Sequence, residues 1–391
     1  MKRYIALVSV IWLLVNTLPV VGDSTKTNTG NSLVAKTGLR YEDTLKEDLT
    51  LPQKLIDIGA EDFSSQESDA VLESFEGKSV INIAENSSAV WVFEVEEAGY
   101  YSIRINYYSE AGRGDIIETA LEINGKMPFD NCNKLELTKS YCDILPIKHD
   151  NRGNDIRPNS IHNARWQQCF LTDPMGYVSQ PLLFEFKAGE NTIKLTAVKD
   201  SFKVDKIVLL QFEEVPDYKS YLKKIKGKNN SVGFYKEIEA ETPSLKSSPM
   251  IFAVNDKTSP LMQPCSNIQI KLNALGGSTW NQLGQWVEYE FEVDEPGFYN
   301  IALKVKQNMA RGMKCYRRIL IDSELLFKEL DSVGFEFSTK WKQYVLGGDK
   351  PYNIYLDKGK HTIRIENVLG EYAPLIKQAE EIVRELNKAY Q

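Results

Sequence analysis

The chain has 391 residues, 42% hydrophobic and 26% charged, with a formal net charge of −7. This length suits two or three ordinary domains, and the composition excludes a disordered chain and a membrane bundle. No strongly basic block occurs, which excludes nucleic acid as the expected partner, and 19 Tyr against 3 His lean towards β structure.

Lys2 and Arg3 precede the apolar run YIALVSVIWLLVNTLPVVG, which ends in small residues at Gly22. Residues 1–22 read as a secretory signal, placing the protein outside the cell or on its surface. The run also approaches the length of an uncleaved anchor. Residues 23–40 open with DSTKTNTGNS and read as a flexible linker. Tyr41 to Leu49 predicts a short helix leading a first domain over 41–215. Pro216 to Ile225 predicts another, leading a second domain over 216–371. Residues 372–391 predict an amphipathic helix with Leu375, Ile376, Ala379, Ile382, Val383 and Leu386 on one face. Two roles stand open for it: docking on the second domain, or beginning a further one.

The two domains are copies. Residues 90–129 match 288–327 without a gap: Phe93, Glu94, Val95, Glu97, Gly99, Tyr101 and Ile103 recur as Phe291, Glu292, Val293, Glu295, Gly297, Tyr299 and Ile301. WQQCFL from Trp166 resembles WKQYVL from Trp341, and FEFKAGENTIK from Phe184 matches IYLDKGKHTIR from Ile354. Collinear matches in one order indicate duplication of a whole domain. Each copy alternates apolar and polar residues, with Val90, Val92 or Phe93, Val95, Tyr101, Ile103 and Ile105 inward, and turns at Gly99, Gly297 and Asn124-Gly125. Many short strands with regular turns predict an all-β pair of sandwiches, with Gly99 and Gly297 free to take positive φ.

The order strand, Gly-Tyr/Phe-Tyr, strand, Ile-Asn-Gly, then Lys-Gly-Lys-His-Thr-Ile-Arg resembles the galactose-binding-like jelly roll, most closely carbohydrate-binding modules of families 6 and 35. Ile238-Glu-Ala-Glu241 and Ile58-Gly-Ala-Glu-Asp62 stand where that family's first strand carries Glu-Ala-Glu. The segments from Asp150 to Pro158 and from Leu272 to Trp286 resemble the N-terminal half of extracellular solute-binding proteins of ABC sugar importers in Gram-positive bacteria. There, paired sandwiches precede a two-lobed domain that would start where this chain stops. The resemblance implies an exported, non-catalytic carbohydrate-binding protein, with oligo- or polysaccharide, importer components or a missing C-terminal domain as partners. It also implies a structural calcium ion, for which Glu239 and Glu241 are the candidates and Glu61 a weaker one.

Sugar recognition needs an aromatic platform and fixed polar groups. In the second copy Trp280, Asn273, Asn281 and Gln282 share a Gly-rich loop, and Arg311, Arg317 and Arg318 offer planar forks. Trp280 reads equally as core; Trp91, Trp166, Trp286 and Trp341 read as core. The polar loop Lys148 to Pro158 of the first copy frames a ligand or holds its own shape. Cys132 and Cys142 are close enough in sequence to bridge, with free thiols the rival reading, and an odd cysteine count leaves one unpaired. No CxxC pair and no spaced histidines suggest zinc, and no acid/base, Gly-x-Ser-x-Gly or P-loop pattern suggests catalysis. A protein-interaction scaffold and a polysaccharide-degrading enzyme remain the rival readings.

Overall fold

The computed structural model describes residues 38–228 and 235–390. The expected signal at 1–22 and the linker as far as residue 37 lie outside them. The described residues fall in one compact unit and form two jelly-roll β-sandwiches in tandem.

The repeated phrase builds the centre of each sandwich. In strand Ser88–Val95 the inward residues are Trp91, Phe93 and Val95; in Gly99–Ser109 they are Tyr101, Ile103, Ile105 and Tyr107. Of the two inward alternatives at 92 and 93, Phe93 is the buried one. Each such large side chain contributes roughly 1.5–3 kcal/mol on burial. The first sandwich stacks a seven-stranded sheet on a four-stranded one. The larger runs Trp166–Phe170, Gly99–Ser109, Phe202–Leu210, Lys78–Ile83, Val71–Phe75, with Leu183–Phe186 and Ile56–Ile58 as side partners. The smaller runs Ser88–Val95, Gly189–Lys199, Ile116–Ile123, Leu135–Thr138.

Along the strands that both copies keep, pairings of the first sandwich recur in the second, without the bulge between Ala197 and Lys199. Ile193 opposes Ile123 as Ile363 opposes Ile321, and Gln167 opposes Tyr107 as Lys342 opposes Val305. The hairpin turn recurs too. Asn124 and Gly125 have φ of 51° and 72°, and Asp322 and Ser323 have 52° and 66°, the two positive values that a two-residue mirror-image turn needs. Gly99 differs from expectation. It has no positive φ; it is required because a Cβ would lie 2.6 Å from the Thr50 carbonyl and from Pro52. Gly297 has no positive φ either.

The two sandwiches share a sheet. The seven-stranded sheet of the second runs Ser160–His162, Tyr141–Asp143, Leu245–Lys246, Trp286–Val293, Gly359–Val368, Lys314–Ile321, Val333–Glu336. Its first two strands come from the segment between Leu135–Thr138 and Trp166–Phe170, which the second copy lacks. At the join, Lys246 Nζ lies 2.6 Å from Asp143 Oδ1 and 2.6 Å from the Ile251 carbonyl, with both charged side chains at most 5% exposed. The polar loop does the same work. Asp150 accepts the backbone N–H groups of Arg152 and Asn154 at 2.8 and 2.9 Å, closing the loop. Asn154 Oδ1 then accepts Ile270 N at 2.8 Å, and Asp155 holds Lys271 at 2.9 Å and Leu272 N at 2.9 Å. Arg157 stacks on Phe252 at 4.1 Å.

Three α-helices complete the fold among the described residues. Helix α1, Tyr41–Thr44, is shorter than the expected span to Leu49. Helix α2, Tyr218–Lys224, is capped by Asp217, which accepts Ser220 N at 2.8 Å, and it drives Tyr221 into the second core beside Phe327. Helix α3, Ala373–Tyr390, holds the first copy's leading segment through its charged side: Arg40 meets Glu381 at 3.2 Å and Lys377 meets Glu42. Leu375, Ile382, Val383 and Leu386 on its apolar face are exposed. No described helix is long and apolar enough to cross a membrane. All five cysteines are free thiols, so Cys132 and Cys142 do not bridge; burial pushes the Cys132 thiol up to about 12.

Candidate functional site

Strand pairing places an aromatic surface on the outer face of the first sandwich's larger sheet. Tyr107 points inward, so its neighbour Tyr108 points out, and Trp166 lies directly opposite Tyr108 in the ladder. Phe75, from the end of Val71–Phe75, completes the group. Ring centroids lie 4.8 Å apart for Phe75–Tyr108, 5.6 Å for Tyr108–Trp166 and 6.4 Å for Phe75–Trp166, all edge-to-face. All three rings are half-buried.

Polar groups fixed by one another surround these rings. Trp166 Nε1 donates to Glu76 Oε2 at 2.9 Å, and the Lys78 ammonium sits 4.7 Å over the indole. Asp205, at a bulge in Phe202–Leu210, accepts from Asn106 at 2.6 Å and Lys78 at 3.0 Å. Lys203 bridges Glu73 at 2.7 Å and Glu110 at 2.8 Å. Burial opposes the Lys203 charge, but Glu110 and Glu73 outweigh it, so its pKa is raised; Glu73 is lowered in turn, first by the hydrogen bond from Lys203. The arrangement offers apolar ring faces beside preorganised donors and acceptors, which is what a saccharide's C–H face and hydroxyls require. The second copy keeps one part of it. Trp341 is also half-buried, with Lys306 at 5.1 Å over its ring, and Lys306 is itself paired with Asp256.

The residues singled out in the sequence are placed differently. Trp280 is half-buried against the second core, donates Nε1 to the Gln285 carbonyl at 3.1 Å, and carries the Arg317 guanidinium 4.8 Å over its ring. Burial lowers Arg317 to about 10. Asn273 is buried and fully engaged: its Nδ2 donates to the Asp256 and Pro264 carbonyls at 3.0 Å each, and its Oδ1 accepts Asp256 N at 2.8 Å. Gln282 shapes the same loop through Gln285 and Asn367. Asn281 and Arg311 are exposed. Arg318 is tied to Asp331 at 2.6 Å and reaches the Ser179 carbonyl of the first copy at 3.3 Å. The structure therefore joins Trp280 to Arg317 as a packed pair. Trp91 and Trp286 are core as expected; Trp166 and Trp341 are only half-buried. Phe75 and Tyr108 were missed, although the inward reading of Tyr101, Ile103 and Ile105 already puts Tyr108 outside.

Glu241 is buried and Glu239 exposed. Burial, then the Glu239 charge, raises Glu241 to about 7. A hard cation would offset that cost, but two carboxylates supply only part of the roughly six to eight oxygens calcium takes. Among the described residues no third His, Cys, Asp or Glu gathers with them.

No family model matches the chain, and no curated protein matches it. Among solved structures, the C-terminal family 6 module of LamC, a marine laminarinase from Zobellia galactanivorans, is 16% identical with a TM-score of 0.25, covering 40% of this chain and 100% of that one. A family 35 module from Clostridium thermocellum is 16% identical with a TM-score of 0.24, covering 41% and 99%. The family 35 module of Cellvibrio japonicus Abf62 is 13% identical with a TM-score of 0.24, covering 41% and 95%. Each spans about one sandwich, and at these scores the likeness carries no argument about ligand.

Proposed function

We propose that the chain is an exported, non-catalytic carbohydrate-binding protein that takes oligo- or polysaccharide on the outer sheet face of its first sandwich. The observation that carries this reading is the Phe75–Tyr108–Trp166 surface, which is half-exposed, built on rigid strands and ringed by fixed polar groups. Trp166 is the platform, Tyr108 and Phe75 hold it in place, and Lys78 and Asn106 face the hydroxyls. A non-catalytic role is supported by the engagement of Glu73, Glu76, Glu110 and Asp205 with lysine, amide or indole partners. Export rests on the signal-like residues 1–22, and a place beside an ABC sugar importer on the sequence resemblance. A calcium ion held by Glu239 and Glu241 would be structural only and would need backbone carbonyls or water for its remaining ligands; if it binds there, calcium should raise the Tm of the chain and leave that of E241Q unchanged, read by thermal unfolding with calcium or chelator.

A scaffold role has one observation in its favour, the exposed apolar stripe of α3. A screen of the chain against neutral and acidic polysaccharides separates the two. Saturable binding to at least one glycan is expected. A folded protein that binds none would overturn the carbohydrate reading, and release of reducing ends would overturn the non-catalytic one.

A further inference from the structure

The duplication permits a comparison of the two sandwich interiors at matched positions. In the first copy, the Tyr107 side chain is fully buried and spans the gap between the sheets, its hydroxyl donating to the Thr138 carbonyl at 2.7 Å. Gln167 Nε2 reaches the same carbonyl at 3.0 Å. The ladders fix the counterparts. Val305 stands for Tyr107 and Lys342 for Gln167, opposite one another as the originals are. Lys314 stands for Ile116 and Glu336 for Thr138, again opposite one another. The second copy thus lacks the ring that closes this end of the first, and a cleft of about 200 Å³ opens there, lined by Val305, Lys314, Phe335, Glu336, Lys342 and Tyr344 among others.

Three positions change character with that loss. Ile116, Thr138 and Gln167 carry no charge; Lys314, Glu336 and Lys342 all do. Among the described residues, neither ammonium nor the Glu336 carboxylate has an ion-pair or side-chain hydrogen-bond partner, although Lys314 and Glu336 are cross-strand neighbours. Phe335 and Tyr344 meet edge-to-face at 5.0 Å as the aromatic wall. The rim carries one net positive charge in a chain of net charge −7.

We propose that this cleft is a second, independent binding site for one sugar ring bearing an anionic group, a carboxylate or a sulfate. The lysines take the anion, Glu336 accepts hydroxyls, and Tyr344 and Phe335 face the ring. That the ring is a sugar rests on the carbohydrate reading above; the cleft and its charges do not.

The test is titration calorimetry on the full chain with glucuronate, galactose 6-sulfate, glucose, galactose and cyclohexanecarboxylate. The anionic sugars should bind, more weakly as salt rises, and the neutral sugars should not compete. V305Y, which restores the first copy's own residue, should abolish this binding. K314Q/K342Q should weaken it roughly tenfold or more, and circular dichroism checks that both variants fold. Binding that survives K314Q/K342Q, or equal binding of glucose and glucuronate, would overturn the proposal. Cyclohexanecarboxylate binding as tightly as glucuronate would overturn the sugar assignment. If W166A leaves neutral-glycan binding intact, the platform reading fails while the cleft stands.

Discussion

Trp166 and Trp280 are both half-buried, each with its N–H hydrogen-bonded and a cation over its ring, but Trp166 lies on an outer sheet face and Trp280 against the second core, so their truncations should have opposite consequences. Trp280 packs on the second core with its N–H committed to a carbonyl. Large aromatic truncations in cores cost roughly 3–5 kcal/mol, and half-burial brings the expected loss for W280A to about 2 kcal/mol. Urea unfolding should show that loss, and glycan affinity should be unchanged. Why the sequence reads Trp166 as core and leaves Trp280 open is physical. An apolar aromatic at a strand's start reads as core until the partner strand is known, and a one-residue change of register moves every side chain to the other face. Trp166 faces out because it opposes Tyr108, 58 positions earlier, a pairing that local alternation does not reveal. The inward set, by contrast, was legible from the alternation Tyr101, Ile103, Ile105. A second residue-scale difference sits at the repeated hairpin turn. The first copy pairs Asn124 with Asn191 at 2.9 Å; the second pairs Asp322 with His361 at 2.7 Å, and His361 Nε2 lies 2.8 Å from the Asp357 carbonyl. Both ring nitrogens face acceptors, so the bonds need the doubly protonated imidazole. Burial opposes that charge, but Asp322 and the Asp357 carbonyl outweigh it, and the pKa is raised. A raised folded pKa gives stability that is fully present below the ordinary histidine value near 6.5 and is lost as pH rises through the folded value. Thermal unfolding from pH 5.5 to 9 should show that loss in the wild type and a flatter profile in H361N. An equally steep profile in H361N would remove His361 as the cause.

The element that most constrains the molecule is the segment between Leu135–Thr138 and Trp166–Phe170. It leaves the first sandwich, adds two strands to the second sandwich's sheet, and returns. Its buried Asp143–Lys246 pair is the critical contact. Removing one partner leaves a buried charge, at a cost of roughly 3–5 kcal/mol, whereas replacing both with apolar residues is often nearly neutral. D143A should therefore destabilise strongly in urea, and D143L/K246M should recover most of the loss. No recovery would mean that the pair is needed for its geometry as well as its charge. Of the two roles open for the loop from Lys148 to Pro158, the structural one fits the contacts: Asp150 is spent on closure, and Asn154 and Asp155 on residues 270–272. Its partner was not legible, because the contacting segment, residues 269–272, lies over a hundred residues away. Helix α1 ended early for a similar reason. Propensity extends it towards Leu49, but tertiary contacts, including the Tyr41 hydroxyl accepting Leu183 N at 3.0 Å, hold only the first turn.

At the scale of the whole molecule, shared strands and the α3 ion pairs tie both copies into one unit. Sandwiches joined only by a linker unfold separately, while a continuous sheet couples them. Scanning calorimetry should give one transition with equal calorimetric and van't Hoff enthalpies; two resolved transitions would show that the join is weak. Coupling also fixes the angle between the Trp166 face and the second copy's cleft. Simultaneous engagement of one polysaccharide then depends on geometry set by the fold rather than by a linker. The most direct test of the central claim is isothermal titration of the full chain and of W166A with the tightest-binding neutral polysaccharide. The account predicts saturable binding that weakens roughly tenfold or more in a W166A protein whose fold is intact. Equal affinity in the two proteins would contradict it and move the saccharide site off this face.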